Sequence, residues 1–301
     1  METTSGLRAR SLEGLGSPPR AVPLVVRIDE LFGGPLASVG WLLLGFGLIF
    51  AWGFGLNADF ASWRFRGPLS TAQATTAGCR GTTFSEGGGK HRRGNPIYEN
   101  SFSFEERGRA FSNRSYSFVC MAAGQPALAE FPAGRPDLAR LRGMRRAPFS
   151  QGVLIVLIVP ALGLAFALSA LLTGVRDIRL LERGILARGA VAATRPTSMT
   201  INRRVVWEVT LAFRDGLGAE RRMTTKTCFP EKLEGEGVHN VFYDPENPAG
   251  AIAVDTLPEP LFADESGGLV SDGWPRAARA LLCPALTVLG HGLYWLVRLA
   301  R

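Results

Sequence analysis

Apolar residues gather into three long runs along the chain, and none of the three contains a charged side chain. The runs cover residues 35–56, 147–175 and 280–297. A helix needs about 20 apolar residues to cross the hydrocarbon core of a bilayer, so the pattern predicts three transmembrane helices. The third run is the shortest and contains Pro284 and His291, and the alternative for it is an amphipathic helix lying on the membrane surface.

The polar stretch between the first two runs, residues 57–146, contains a clear strand pattern. Tyr98, Phe102 and Phe104 share one parity, while charged and hydroxyl side chains fill the other. A period of two is typical of a half-buried strand. A turn and a second strand follow, so we predict a β-domain here, with a flexible loop around His91.

The stretch between the second and third runs, residues 176–262, gives the strongest strand prediction in the chain. Asp215-Gly216 is a strong hairpin turn signal, and further short strands flank it on both sides. Five short strands of this kind favour a small all-β domain, similar in outline to an OB or SH3-like barrel. The residues expected to form its core are Trp207, Val209, Leu211 and Phe213.

The two β-domains are related in pattern. The apolar positions Tyr98, Phe102 and Phe104 recur at one constant offset in the second domain, and each domain follows an apolar run. The fold class is therefore predicted to be membrane α + β, with three transmembrane helices and two small all-β domains in a helix-plus-β-domain repeat. Residues 1–34 are expected to be an N-terminal tail, disordered in part, and residues 263–279 a linker.

Short motifs mark the strands and turns of both domains and the approach to the second apolar run. They are Asn95-Pro96-Ile97-Tyr98, Phe102-Ser103-Phe104, Gly108, Ser115-Tyr116, Gly143-Met144-Arg145-Arg146-Ala147-Pro148-Phe149, Asn202, Phe213, Gly216 and Tyr243-Asp244-Pro245-Glu246-Asn247-Pro248. Over residues 35–262 this set resembles the bacterial membrane proteins that carry the domain of unknown function 3592 (DUF3592). The resemblance implies β-domains anchored in a bacterial plasma membrane, and it supplies no reaction and no catalytic residues. The first domain departs from the pattern, because Glu130-Phe131-Pro132 stands where a fuller Tyr-Asp-Pro turn is common.

The net charge of +8 raises nucleic acid as a partner for a basic protein. The arginines, however, flank the apolar runs, and no nucleic-acid-binding motif accompanies them. Arginines at the ends of membrane helices bind anionic headgroups, so the bilayer is the expected partner and nucleic acid is not. The arginines that follow the second run are Arg176, Arg179, Arg183 and Arg188.

The cysteines and histidines do not form a metal-binding pattern. Four cysteines and three histidines are present, without a CxxC or Cys/His spacing, so we expect no metal and no cofactor. Cys79 and Cys120 share the first polar stretch and are a possible disulfide if that stretch faces an oxidising compartment. His291 lies within the third apolar run, where helix packing is the favoured role and a proton relay the alternative.

Small residues recur every four positions in the first apolar run, at Gly47, Ala51 and Gly55. Such a stripe lets two helices approach closely, and Gly163 and Ala167 of the second run are the expected partners. Packing within the chain and dimerisation both fit this stripe.

The sequence contains no catalytic motif of the hydrolase, nucleotide-binding or metalloprotease type. The expected function is therefore a non-enzymatic interaction, sensing or scaffolding module in a multi-pass membrane protein. Its partners are the bilayer and either another protein or a second copy, through the membrane helices. The alternatives are an accessory subunit of a membrane enzyme or transporter and, less favoured, a membrane-bound hydrolase. Arginines flank both ends of the second run almost equally, so the orientation is expected from Cys79 and Cys120, which fit an oxidising compartment. The N-terminus is then expected in the cytoplasm, the first β-domain outside and the second inside.

Overall fold

The computed structural model describes residues 12, 14–89, 93–201, 203–233, 237–248, 250–257 and 259–300. The predictions that concern His91, Asn202 and residues 1–11 therefore lie outside the described residues. Within the described part, five α-helices are present. They are α1 (Leu24–Phe32), α2 (Pro35–Gly53), α3 (Ile158–Arg183), α4 (Trp274–Ala280) and α5 (Leu282–Leu299).

Three helical segments are long and apolar enough to cross a membrane: Pro35–Asn57, Gln151–Arg183 and Trp274–Leu299. They correspond to the three apolar runs and indicate a membrane protein. The second segment begins with a 3₁₀ helix at Gln151–Leu157. Its α-helix, α3, continues about two turns past Val175, where the uncharged run ends. Arg176, Arg179 and Arg183, which follow the second run, thus lie on the end of α3.

The first polar stretch folds into a five-stranded antiparallel sheet, called here the first sheet. Its strand order is β3-β2-β1-β4-β5. Its core combines the aromatic side chains of Phe102, Phe104 and Phe131 with small and aliphatic residues such as Ala129 and Leu141. The strands are β1 (Leu69–Glu86), β2 (Asn95–Glu106), β3 (Arg109–Ser117), β4 (Pro126–Pro132) and β5 (Arg140–Leu141).

The second polar stretch forms another five-stranded antiparallel sheet, the second sheet, with the order β10-β9-β6-β7-β8. A two-stranded hairpin of β11 (Phe262–Ala263) and β12 (Leu269–Val270) follows, partly within the predicted linker. The strands of the second sheet are β6 (Ile185–Ile201), β7 (Arg204–Arg214), β8 (Glu220–Thr227), β9 (His239–Tyr243) and β10 (Ile252–Ala253).

The two sheets have the same internal build. Reading the second order backwards places β6 to β10 in the positions of β1 to β5. Phe102 pairs with Thr76 next to a register shift in the first sheet, and Leu211 pairs with Val191 next to a register shift in the second. A second shift follows Gly81 in β1 and Pro196 in β6, at the positions opposite Tyr98 and Trp207.

Neither sheet is a closed barrel, so the barrel prediction is wrong. In both sheets the strand order is open, with β3 and β5 at the edges of the first and β8 and β10 at the edges of the second. The physical reason is the length of the fifth strand. β5 pairs with β4 and β10 pairs with β9, but each of these fifth strands is only two residues long. Such a short strand does not form a second ladder with the strand at the opposite edge of its sheet, which closure of a barrel requires.

The chain divides into two compact units, residues 1–45 with 162–301, and residues 46–161. The core of the first unit includes Leu12 and Val22, which are buried together with Phe242 and Leu257. The described part of the N-terminal segment thus packs within the same unit as the second sheet.

Candidate functional site

A concave site lies at the end of α3, and we call it the basic pocket. It has a volume of about 520 Å³. One wall is the last two turns of α3, and the other is the turn Asp244-Pro245-Glu246-Asn247 that follows β9. Gly250 completes the lining, and a Cβ at that position would lie 3.4 Å from Nη2 of Arg176. A glycine here therefore leaves room for the guanidinium.

Three exposed arginines line the helical wall of the basic pocket: Arg176, Arg179 and Arg183. Their spacing of three and four residues places them on one face of α3. No carboxylate of the described residues forms an ion pair with any of the three. The pocket therefore presents three exposed arginines.

A fourth arginine, Arg20, caps the end of α3 from the core side. Its side chain is 7% exposed and donates to the carbonyls of Leu181 at 3.0 Å and Gly184 at 2.9 Å. Its backbone N–H also donates to the Glu182 carbonyl at 2.8 Å. The last carbonyls of a helix have no partner within the helix and carry partial negative charge. The buried guanidinium of Arg20 donates hydrogen bonds to these carbonyls and offsets their charge.

A second charged group, the acidic cluster, lies where α1 meets α3 and α4. Asp29 is 3% exposed and accepts from Nε of Arg276 at 3.1 Å, while its Oδ2 has no partner among the described residues. The backbone of Glu30 lies against Gly174 so closely that a Cβ there would overlap the Glu30 carbonyl. Burial, followed by the carboxylates of Asp177 and Asp29, raises the pKa of Glu30 from 4.5 to about 8.

His239 and Asp255 form a dyad that resembles part of a catalytic triad. Nδ1 of His239 lies 2.7 Å from a carboxylate oxygen of Asp255, and Nε2 lies 3.1 Å from the Leu233 carbonyl. In a triad, one ring nitrogen faces a nucleophile and is free to take its proton. Both ring nitrogens of His239 already lie at hydrogen-bond distance from oxygen atoms. The dyad therefore connects β9 to the 3₁₀ turn Val254–Thr256 after β10 and to the Leu233 carbonyl before β9.

His291 lies on α5 and contacts the backbone of α2. Its Nε2 lies 2.9 Å from the Gly45 carbonyl, and one turn earlier Thr287 donates to the Trp41 carbonyl at 3.4 Å. Two side chains spaced by four residues thus meet two carbonyls spaced by four residues. This geometry places His291 in a packing contact between helices.

The residues of the predicted helix stripe lie along the contact of α2 with the second apolar segment. A Cβ at Gly47 would lie 2.6 Å from the ring of Pro160, and a Cβ at Gly55 would lie 3.3 Å from Leu157. Ala51 is 5% exposed. In the other unit, Gly40 approaches the backbone of Ala167 and lies against Gly163, so the line of close approach includes a glycine outside the predicted stripe.

Cys79 and Cys120 are joined by a disulfide. Cys79 lies in β1 opposite Asn100 of β2. The fully buried Asn100 side chain donates to the Val119 carbonyl at 2.9 Å and accepts from the Met121 N–H at 2.8 Å. Asn100 therefore fixes the backbone on both sides of Cys120.

The predicted core of the second β-domain lies on β7. Val209, Leu211 and Phe213 are each at most 3% exposed, whereas Trp207 is half-buried. Val206, on the other parity, is buried instead. The register shift between β6 and β7 next to Pro196 changes the alternation at this end of the strand.

Sequence patterns did not identify Arg20, Asn100 or Asp29, because each acts through partners distant in the chain. The three pocket arginines were assigned to headgroup contact in general, and the structure adds the opposing turn and the concave shape. No group of His, Cys, Asp or Glu able to hold a metal ion occurs in the described part of the chain. No family model, curated protein or solved structure matches the chain.

Proposed function

We propose that this chain is a multi-pass membrane protein of the plasma membrane whose two β-sheet units arose as an internal repeat and serve as a non-enzymatic interaction module. The observation that supports the repeat is the shared register. The two sheets have equivalent strand orders and carry two register shifts at equivalent positions. β-Bulges are specific features of a fold, so two unrelated sheets are not expected to share them at equivalent positions.

The repeat also supports the resemblance to DUF3592 as a proposal. Burial agrees at matched positions of the two sheets. Phe102 and Leu211 are fully buried, and Phe131 and Tyr243 are at most 2% exposed. Phe131-Pro132 and Tyr243-Asp244 thus occupy the same place at the ends of β4 and β9.

The edge strands β3 and β8 are the proposed partner surfaces. They occupy equivalent edges of the two sheets. On β3 the outward backbone groups of Tyr116 already pair with Arg145, so the part of that edge before Tyr116, around Ser112, is the proposed surface. An edge of this kind accepts an added strand from a partner. Charged side chains on β8, including Arg221 and Arg222, are typical of an edge that is protected against unspecific pairing.

Site-specific photo-crosslinking in intact cells tests this function. Ser112 on β3 and Arg222 on β8 are exposed and occupy matched positions of the two sheets, so each is replaced by a photoreactive residue. We expect a discrete adduct with one protein at an edge position. Leu217, which is 93% exposed in a hairpin turn, is the control and should give none. Absence of adducts at both edges, or equal adducts at Leu217, contradicts the proposal.

A further inference from the structure

We propose that the basic pocket binds the headgroup of a membrane phospholipid, with the phosphate against the three arginines of α3 and the headgroup ammonium against the acidic turn after β9. This site does not depend on the sheet edges and would stand if those edges bound nothing.

The pocket lies at the depth where lipid phosphates are found. The second candidate spanning segment covers Gln151–Arg183, and its α-helical part has 26 residues. At 1.5 Å per residue such a helix is about 39 Å long, longer than a hydrocarbon core of about 30 Å. The uncharged part ends at Val175, so Arg176, Arg179 and Arg183 lie in the headgroup layer.

The charges of the helical wall call for an anion. Three guanidinium groups on one helix face repel one another, and no carboxylate of the described residues lies within ion-pair distance of them, although Asp177 interacts with Arg176 at longer range. The C-terminal end of α3 would otherwise disfavour an anion, because its carbonyls carry partial negative charge. Arg20 is bonded to those carbonyls from the core side and offsets that charge. A phosphate accepts paired hydrogen bonds from arginine with matching geometry.

The opposite wall selects the kind of headgroup. Asp244 and Glu246 line it, and one oxygen of Asp244 accepts from the Glu246 N–H at 2.9 Å. The second oxygen of Asp244 and the exposed carboxylate of Glu246 are available to bind the cationic group of a ligand. A purely anionic headgroup would meet these carboxylates unfavourably. Phosphoethanolamine carries an ammonium next to its phosphate and complements both walls, and the cavity of about 520 Å³ is large enough for it.

The test measures lipid binding to the purified full-length protein in detergent by native mass spectrometry. Phosphatidylethanolamine, phosphatidylglycerol and phosphatidylcholine are titrated separately. A parallel titration uses soluble phosphoethanolamine. We expect phosphatidylethanolamine to bind with the highest affinity, because the other two lipids lack a primary ammonium. The soluble compound should bind much more weakly, since it has no acyl chains to place it at the membrane surface.

Two matched variants identify the site. The triple change Arg176→Gln, Arg179→Gln and Arg183→Gln should weaken phosphatidylethanolamine binding about tenfold or more, because hydrogen bonds to charged groups are lost. The control triple, Arg195→Gln, Arg203→Gln and Arg214→Gln, removes the same charge from exposed positions on β6, β7 and the turn between them and should bind as the parent does. The change of Asp244→Asn with Glu246→Gln should abolish the preference for phosphatidylethanolamine over phosphatidylglycerol.

Several outcomes would overturn the proposal. Equal loss of binding in both arginine triples would show unspecific attraction by net charge. Binding of soluble phosphoethanolamine as strong as that of the lipid would show a soluble ligand. If the pocket triple fails to fold, as judged by its thermal midpoint, the triple change to lysine is used instead. It keeps the charge and loses the paired donors, and unchanged binding and unchanged headgroup preference in it would contradict the proposed contacts.

Discussion

At the scale of single residues, a few buried polar side chains connect segments that are far apart in the chain. Arg20 joins the N-terminal segment to the end of α3, and Asn100 joins β2 to the loop around Cys120. Both side chains are almost fully buried, and each has at least two partners. Because a buried polar group without partners costs free energy, such residues are sensitive positions.

The first prediction concerns Arg20. Arg20→Ala should lower the free energy of unfolding by about 1.5–3 kcal/mol, because it removes charged hydrogen bonds and leaves carbonyls at the end of α3 without partners. Chemical unfolding in detergent measures the change. Arg27→Ala is the control, since Arg27 is exposed and, within the described part of the chain, its side chain donates only to the nearby Val22 carbonyl. Equal losses for the two variants would argue against the cap.

The second prediction separates two residues of β7. Leu211 is fully buried, so Leu211→Ala should cost about 2–5 kcal/mol. Trp207 is half-buried, and Trp207→Ala should cost less than Leu211→Ala despite the larger side chain removed. Thermal unfolding of the full-length variants gives the order. The reverse order would place the Trp207 ring in the core, contrary to the structure.

At the scale of elements, the helices pack where glycines let two backbones come close together, and each sheet depends on the register in which its strands pair. α2 meets the second apolar segment where glycines leave no room for a side chain, as at Gly47. In lipid such contact is a main source of helix association, because apolar burial no longer drives it. The central strands β1 and β6 carry the register shifts that set the alternation of their partners.

The third prediction uses two glycines of α2. Gly47→Leu should lower the thermal midpoint in detergent, because the new side chain would overlap Pro160. Gly53→Leu is the matched control, since a Cβ there meets nothing within 4 Å. The midpoint should change at Gly47 and stay near the parent value at Gly53. Equal tolerance at both positions would show that the contact is not needed.

The fourth prediction concerns the acidic cluster and pH. The pKa of Glu30 is raised to about 8, so the folded state keeps the proton while the unfolded state loses it near 4.5. The stabilising contribution of protonated Glu30 is therefore complete below pH about 4.5 and is lost as the pH rises through about 8. Glu30→Gln should match the parent in thermal midpoint at pH 5 and exceed it at pH 9. A constant difference between the two proteins across this range would contradict the prediction.

At the scale of the whole molecule, the two sheets share a build but differ in their cross-link. The positions in the second sheet that match Cys79 and Asn100 are Thr194 and Val209. The disulfide thus belongs to the first sheet only. Since disulfides persist in oxidising compartments, this asymmetry favours an orientation with the first sheet outside and the second inside.

The fifth prediction tests that orientation. Cys228 and Cys283, the free cysteines of the described chain, are replaced by serine, and a single cysteine is placed at Ser112 or at Arg222. A membrane-impermeant thiol reagent should label Ser112→Cys in intact cells, and should label Arg222→Cys only after permeabilisation. The opposite pattern would invert the assignment, and labelling of both in intact cells would contradict the crossing by α3.

The sequence by itself determined the elements whose side chains repeat with a clear period. The three apolar runs specified the candidate spanning helices, because length and absence of charge are local properties. The alternation around Phe102 and Leu211 specified β2 and β7, because one face of each strand packs in a core.

Only the tertiary structure decided what depends on distant neighbours. β1 is the central strand of the first sheet, yet its small and polar residues show no apolar alternation, because large side chains of neighbouring strands fill the core beside Ala74. The open sheets, the Arg20 cap and the basic pocket likewise arise between segments far apart in the chain. Local periodicity records which side of a segment is buried, whereas a site is defined by which segments meet there.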